Sequence, residues 1–356
     1  MTSVERVRAA FEHRAPDRTP IFEYVLLSPI CDLALGRPFM SYDEAPDRWL
    51  GYALETGWER AVMKYARERV EIARRLGHDL LYVLPAPVPR EDSGMAVPAL
   101  SCAEERLAFR NDRDAERLSV PMDERGFFVY ECLQRAMEET GEPLALFAPA
   151  YTLGIWTDTD LMMTMMTEPQ IAHRHFSLAA DEAIQYADRY REYGVRLIGV
   201  GGDFAGNRPL ISPRAYREFI VPEVRRVADA VHRWGARAIT ASDGDVRPVL
   251  NDFLISAHVD GYMEIDQRAG MEMRDLKREY GGRICLMGNV DCGSLMSFGT
   301  AEEIRSAVHQ CLDEGWGNGG HIFTCSNAIS SSIPPENYRA LNDAYREYFG
   351  LPKAVW

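Results

Sequence analysis

The sequence predicts an α/β fold, specifically a (β/α)8 TIM barrel. Three observations predict it. Eight short apolar runs recur along 356 residues, each followed by a stretch of helical character. Such alternation implies parallel strands with right-handed crossovers, and eight repeats suit closure into a barrel. The competing open doubly wound sheet would carry a phosphate-binding glycine loop in its nucleotide-binding forms, and no G-x-G-x-x-G or Walker sequence occurs. Residues 1–356 are read as a single domain, with an N-terminal helical extension and an excursion between the second and third strands.

The elements follow in order. Ser3 to His13 reads as a helix with Ser3 as N-cap and Val4, Val7 and Phe11 on one face. Thr19 to Leu27 is the first strand, carrying Glu23. Residues 40–76 are helical in at least two pieces, stopped by Gly77. Asp79 to Pro85 is the second strand. Residues 86–125 are proline-rich, then charged, and read as an excursion with a small hairpin over one end of the fold. A helix from Phe127 to Thr140 ends at Gly141, and Leu144 to Ala150 is the third strand. The methionines at 162, 163, 165 and 166 read as adaptable core packing rather than a soft ligand set.

Pro169 opens a long helix to about Tyr193, followed by a strand from Val195 to Gly201. Ser212-Pro213 has the N-cap and first-turn proline form. The strand Arg237 to Ser242 breaks at Asp243-Gly244, with Asp245 placed to cap a helix from Val246. Gly261 to Asp266, Ile284 to Val290 and Gly320 to Cys325 are the last three strands. Helices lie between them from Asp275 to Tyr280 and from Thr300 to Leu312. Pro335 begins the closing helix.

Composition narrows the function classes. Hydrophobic residues make up 46% and charged residues 26%, enough for a sizeable core and a soluble surface. A net charge of -14 argues against nucleic acid or anionic membrane as partners. Seven scattered cysteines without a C-x-x-C suit reduced thiols. With no leader-like N-terminus and no membrane-length apolar run, a cytoplasmic protein is expected.

A barrel gathers the carboxyl ends of its strands at one mouth. The residues expected there are Glu23, Asp203, Asp243, Glu264 or Asp266, Asn289 with Asp291, and Cys325 with Asn327. Close carboxylates repel, so one holds a proton or several share a cation, and either supports acid/base chemistry. The plainer alternative is that these acids cap the helices that follow. His321 points the same way as Cys325 but lies about 13 Å away along an extended strand, too far to share a metal. It reads as a core histidine.

Several stretches resemble the uroporphyrinogen decarboxylase superfamily. They are E-R-V-R-A-A-F-E-H-R-A-P-D-R-T-P near the start, S-P-R-A-Y-R-E-F-I-V-P-E at 212–223 and S-D-G-D-V-R-P-V-L at 242–250. A-G-M-E-M-R-D-L-K-R-E-Y-G at 269–281 and the later G-G-H-I-F-T-C-S-N and I-P-P-E-N-Y-R-A-L continue the likeness. The resemblance implies a (β/α) barrel and a homodimer. It also implies one of two activities. In uroporphyrinogen decarboxylase an R-Q-A-G-R-Y segment follows the first strand and an aspartate follows the second. Here Tyr24-Val-Leu-Leu-Ser-Pro-Ile contains no arginine, and Leu84 stands at the aspartate position. In corrinoid-linked methyltransferases zinc is held by His-x-Cys and a later Cys. Ala241 and Asp243 stand at the first two positions and Cys325 at the third. The resemblance therefore implies a zinc site of Asp243, Cys325 and an acid such as Glu264 or Asp266.

The chain is accordingly read as nearer the methyltransferase-like branch. It would move a methyl group from a small methylated substrate to a corrinoid protein, with Asp203, Asp243 and Cys325 catalytic. Glu23, Tyr24, Glu264, Asp266, Asn289 and Asn327 would bind substrate. The alternatives are a decarboxylase or lyase acting on a small carboxylated substrate or on uroporphyrinogen, and a barrel that binds a ligand without chemistry. Specificity is expected from residues 23–30, the 86–125 excursion and Trp156.

Overall fold

The structure, a computed structural model, describes residues 1–89, 99–315, 317–354 and 356. Seven strands form one parallel sheet: β1 (Leu80–Tyr82), β2 (Ala145–Pro149), β3 (Leu197–Val200), β4 (Arg237–Ala241), β5 (Gly261–Met263), β6 (Cys285–Met287) and β7 (His321–Ile322). They pair strictly in chain order. Leu80 lies opposite Ala145, Phe147 opposite Leu197, Ile239 opposite Gly261, and Met263 opposite Met287. The sheet curls through 246° and its edges stand 10 Å apart.

Side-chain alternation gives the curl its two faces. Tyr82, Phe147, Leu197, Ile239, Met263, Met287 and Ile322 pack together inside the curl. Their neighbours Leu81, Leu146, Ile198, Ala238, Tyr262 and Leu286 face the surrounding helices. The strands therefore read as continuous apolar runs because both faces are buried.

One expectation needs correction. Residues 19–27 form no strand, only isolated bridges from Ile21 to Phe323 and from Leu26 to Ile329. The segment still bonds to both edges of the sheet. The Asp79 amide donates to the Ile21 carbonyl at 2.7 Å, and the Phe323 amide donates to the Pro20 carbonyl at 2.8 Å. Two features shorten the ladder. Pro20 has no N–H to give, and the Cys325 amide donates to the Glu23 side chain at 3.2 Å instead of to a main-chain carbonyl.

The N-terminal helix, Ser3–Phe11, closes the amino end of the curl. Its cap is Thr2, in a reciprocal box with Glu5, and not Ser3. Ser3 instead donates to Asp79 at 2.9 Å. Val7 and Phe11 enter the interior cluster beside Phe22. Asp79 is fully buried and holds this end together. It accepts from Arg6 at 2.6 Å, from Arg18 at 2.6 and 2.9 Å, and from the Ile21 amide at 3.0 Å.

The excursion also differs from expectation. Residues 90–98 lie outside the described part, and the rest carries a helix, Ala103–Leu118, rather than a hairpin. Arg106 and Arg110 pin that helix to Asp160 and Asp158. The methionine-rich helix, Thr159–Thr167, buries Met165 but leaves Met163 and Met166 exposed, so core packing describes only part of it. The helix expected after β4 is short and irregular: a tight turn at Arg247–Val249 and a wide one at Asp252–Ser256. All seven cysteines are free. Among the described residues no helix is long and apolar enough to cross a membrane.

Asp79→Ala leaves Arg6 and Arg18 without their buried partner. The expected loss is about 3–5 kcal/mol, read as a lowered urea midpoint at unchanged slope. An unchanged midpoint would contradict the role given to Asp79.

Candidate active site

The amino end of the curl is plugged, so the carboxyl ends of the strands form the open mouth. β3 runs out through Gly201-Gly202 to Asp203. β4 runs out through Ser242 to Asp243, and β5 through Met263 to Glu264. Ser242 Oγ donates to Asp203 Oδ1 at 2.8 Å and so links the first two exits. Asp243 is gripped from across the mouth: Asn327 Nδ2 lies 3.0 and 2.9 Å from its two oxygens. The Gly244 that follows has φ 79°, and a Cβ there would run into the Gly206 carbonyl, so this turn admits only glycine.

Glu264 takes the rare left-handed backbone conformation, φ 65°. A non-glycine residue is held there only when its surroundings over-determine it, and such residues cluster at functional sites. The result is a carboxyl group aimed at its neighbours. Asp203, Asp243 and Glu264 each bring a ligand oxygen within 4.8 Å of the others.

Burial and mutual repulsion govern this trio in the metal-free protein. Burial, then the charges of Asp243 and Asp203, push the Glu264 carboxyl from 4.5 to about 8, against a hydrogen bond from Tyr24. Burial raises Asp243 to about 6, with Asp203 and Asp266 adding to it and Asn327 opposing. Burial also raises Asp203, which Ser242 opposes. At neutral pH the cluster thus holds a proton, mainly on Glu264. Tyr24, Tyr82 and Tyr151 all feel the Glu264 charge. The rings of Tyr24 and Tyr82 meet edge to face, with centroids 4.7 Å apart.

A cleft of about 960 Å³ opens above Asp203 and Asp243. That suits a small molecule. Asn327 and Asp266 also line it, as do Trp156, Arg208 and Arg268 from the loops.

Of the remaining expected residues, Asp266 and Asp291 line the cleft but serve as caps, and the others lie off it. Asp266 caps a tight turn, accepting from the Ala269 and Gly244 amides at 3.2 Å each. Asp291 accepts from the amides of Gly293, Ser294 and Leu295. Asn289 is buried and donates to the Met271 carbonyl at 3.1 Å. Cys325 is 1% exposed and is not among the residues that line the cleft. Burial and the nearby Glu23 push its thiol well above the ordinary value. Glu23 is buried with it, accepting from Thr324 at 3.0 Å, and burial raises it to about 8. His321 is a core residue, 2.9 Å from the Gly288 carbonyl, with its other ring nitrogen unpartnered among the described residues.

The expected zinc set of Asp243, Cys325 and Glu264 or Asp266 does not assemble among the described residues, because Cys325 stays outside the group that converges. The group that converges offers oxygen donors only, a set that hard divalent cations take. Asp203, Asp243 and Glu264 could hold a metal ion; Cys325 stands outside that group.

The model of the uroporphyrinogen decarboxylase (URO-D) family matches residues 93–348, well over half of the chain. The protein belongs to the uroporphyrinogen decarboxylase family. Among curated relatives, uroporphyrinogen decarboxylase of Xanthomonas campestris pv. campestris is 27% identical over 188 residues, 49% of this chain and 49% of that protein. The chain thus spans about half the length of this relative. The Chlorobaculum tepidum uroporphyrinogen decarboxylase is 26% identical over 278 residues, 73% of this chain and 77% of that one. Among solved structures, a methyltransferase from Methanosarcina mazei superposes with a TM-score of 0.70 at 17% identity, covering 98% of this chain and 99% of that one.

Glu264 binds a proton in the folded state that it releases when unfolded between pH 4.5 and about 8. Its contribution to stability is therefore present below pH 4.5 and is lost as pH rises through 8. Glu264→Gln should melt a few degrees above the wild type at pH 8.5 in chelator and lose that advantage at acid pH. A melting difference independent of pH would contradict the assignment.

Proposed function

We propose that this family member is a methyltransferase. It takes a methyl group from a small methylated substrate and passes it to a corrinoid carried by a partner protein. One observation carries the reading: Asp203 and Asp243 line an open cleft, and Glu264, buried behind them, brings a third carboxyl oxygen within 4.8 Å of theirs. Asp243 hands a proton to the oxygen or nitrogen that the methyl group leaves, Glu264 behind it returns one to Asp243, and the negative charge of Asp203 helps hold that proton in the cluster. Asn327 fixes Asp243, and Tyr24 orients Glu264. A divalent ion held by Asp203, Asp243 and Glu264 would supply Lewis acidity toward the same heteroatom. Cys325 and Glu23 act behind this floor, as a buried pair that positions Asn327.

The full-length likeness to a methyltransferase supports this reading. So does the segment after Glu23, which has no arginine to seat a polycarboxylate before Arg37. Arg37 itself is paired with Glu68 and Glu71. The same reading takes the fold as a (β/α)8 barrel, single-domain over 1–356, in which residues 19–27 are a first stave reduced to isolated rungs.

A second reading is decarboxylation of a small carboxylated substrate. The names of the curated relatives favour it. The same acids would then quench a carbanion.

The test is an anaerobic assay of the purified protein with free cob(I)alamin as acceptor and a panel of methoxylated aromatics and methylamines. Methylcobalamin should form, and Asp243→Asn should slow it by about 10²–10⁴-fold. With Glu264 as the source of that proton, the rate should fall as pH rises through about 8. Carbon dioxide release from carboxylated compounds without any methylcobalamin would reverse the choice between the two readings.

A further inference from the structure

The cleft is acidic at its floor, and its rim carries both signs: Asp245, Asp266 and Asp291 with three arginines. Arg208, Arg247 and Arg268 reach it from the loops after β3, β4 and β5, and Trp156 from the loop after β2. On a chain with net charge -14, three arginines around one opening stand out. Their partners separate them. Arg247 is spent on Asp245, with Nε and Nη2 each 2.7 Å from a carboxylate oxygen. The other rim acids are also engaged, Asp266 and Asp291 by backbone amides. Arg208 and Arg268 are exposed and make no ion pair among the described residues. Arg268 lies against Gly293, and the Trp156 ring lies over Gly206, 51% exposed toward the cleft.

Two exposed guanidinium groups that form no ion pair among the described residues, Arg208 near enough to Asp245 to help Arg247 lower its carboxyl, offer a site for an anion at the rim of the cleft. A carboxylate is the best match, because each guanidinium can meet it with paired N–H groups. Asp203 and Asp243 at the floor repel the same anion. The field of the cleft therefore orients a ligand, with its negative end outward and its uncharged methyl end inward.

We propose that Arg208 and Arg268 are the specificity determinants of this site, and that the substrate is a methylated small carboxylic acid. Its carboxylate sits at the rim between the two arginines, its flat body lies along Trp156, and its methyl group faces the acids. The methyl end of this assignment rests on the methyltransferase reading; the carboxylate end does not.

Binding alone tests it, with no methyl acceptor present. 4-Methoxybenzoate and the isosteric uncharged 4-methoxybenzamide are compared by isothermal titration calorimetry at pH 7.5 and low salt. The acid should bind about tenfold or more tighter than the amide, and 0.5 M salt should shrink the difference. Arg208→Gln with Arg268→Gln should abolish the preference while leaving the melting temperature unchanged, since both side chains are exposed. Asp243→Asn should keep it. An acid that binds no better than the amide, or not at all, overturns the proposal, as does a preference that survives the double substitution. Failure of methyl transfer with every substrate would sink the reaction and leave this preference standing.

Discussion

Strict in-order parallel pairing is the constraint on which the rest depends. Seven strands that run the same way must deliver all their carboxyl ends to one end of the curl. The other end is then free to be closed, and the N-terminal helix does so with Asp79 as its anchor. Asp203, Asp243 and Glu264 are far apart in sequence, yet β3, β4 and β5 are neighbours. One residue of slip in any of the three ladders would turn that strand's interior set outward and take its acid off the floor.

That convergence creates an electrostatic problem that the fold resolves by sorting its acids. Asp266 and Asp291 sit on loops where backbone amides point at them, and they become caps. Asp203, Asp243 and Glu264 instead stand within 4.8 Å of one another. Ser242, Asn327 and Tyr24 oppose the burial effect without cancelling it. A proton is the cheapest neutralisation open to such a trio at neutral pH. A substrate heteroatom placed against it finds an acid that is already charged with that proton. The rim arginines complete the polarity by attracting an anionic end that the floor would reject.

Much of this was legible in the residues. Short apolar runs marked every strand of the sheet, and the caps at Ser212 and Thr300 marked helix starts that the structure keeps. Asp203, Asp243 and Glu264 could be placed because a strand exit is a position that periodicity can locate. The eighth strand could not be judged from its apolar pattern. Ladder formation depends on which amides Pro20 lacks and which Glu23 captures, and both are contacts with β7, about 300 residues away. Cys325 also sits at a strand exit. Whether such a side chain faces the cleft or the packing behind it is set by neighbours, here Glu23 and Thr324. The charged run before Leu118 concealed a helix because its partners, Asp158, Asp160 and Glu182, lie on later segments. The rim arginines carry no pattern of their own. Their signal was position alone: each follows a strand exit by a few residues.

The central claim is that three carboxyl groups share one site and hold a proton between them at neutral pH. Infrared spectroscopy of the protonated-carboxyl band, on metal-free protein titrated from pH 4 to 10, measures it most directly. The account predicts a component that persists at pH 7, titrates near 8, disappears in Glu264→Gln, and shifts to lower pH in Asp243→Asn as the repelling charge is removed; Glu23→Gln should remove a separate component that Asp243→Asn leaves in place. A Glu264 that titrates in the ordinary carboxylate range, or one indifferent to Asp243, would contradict it.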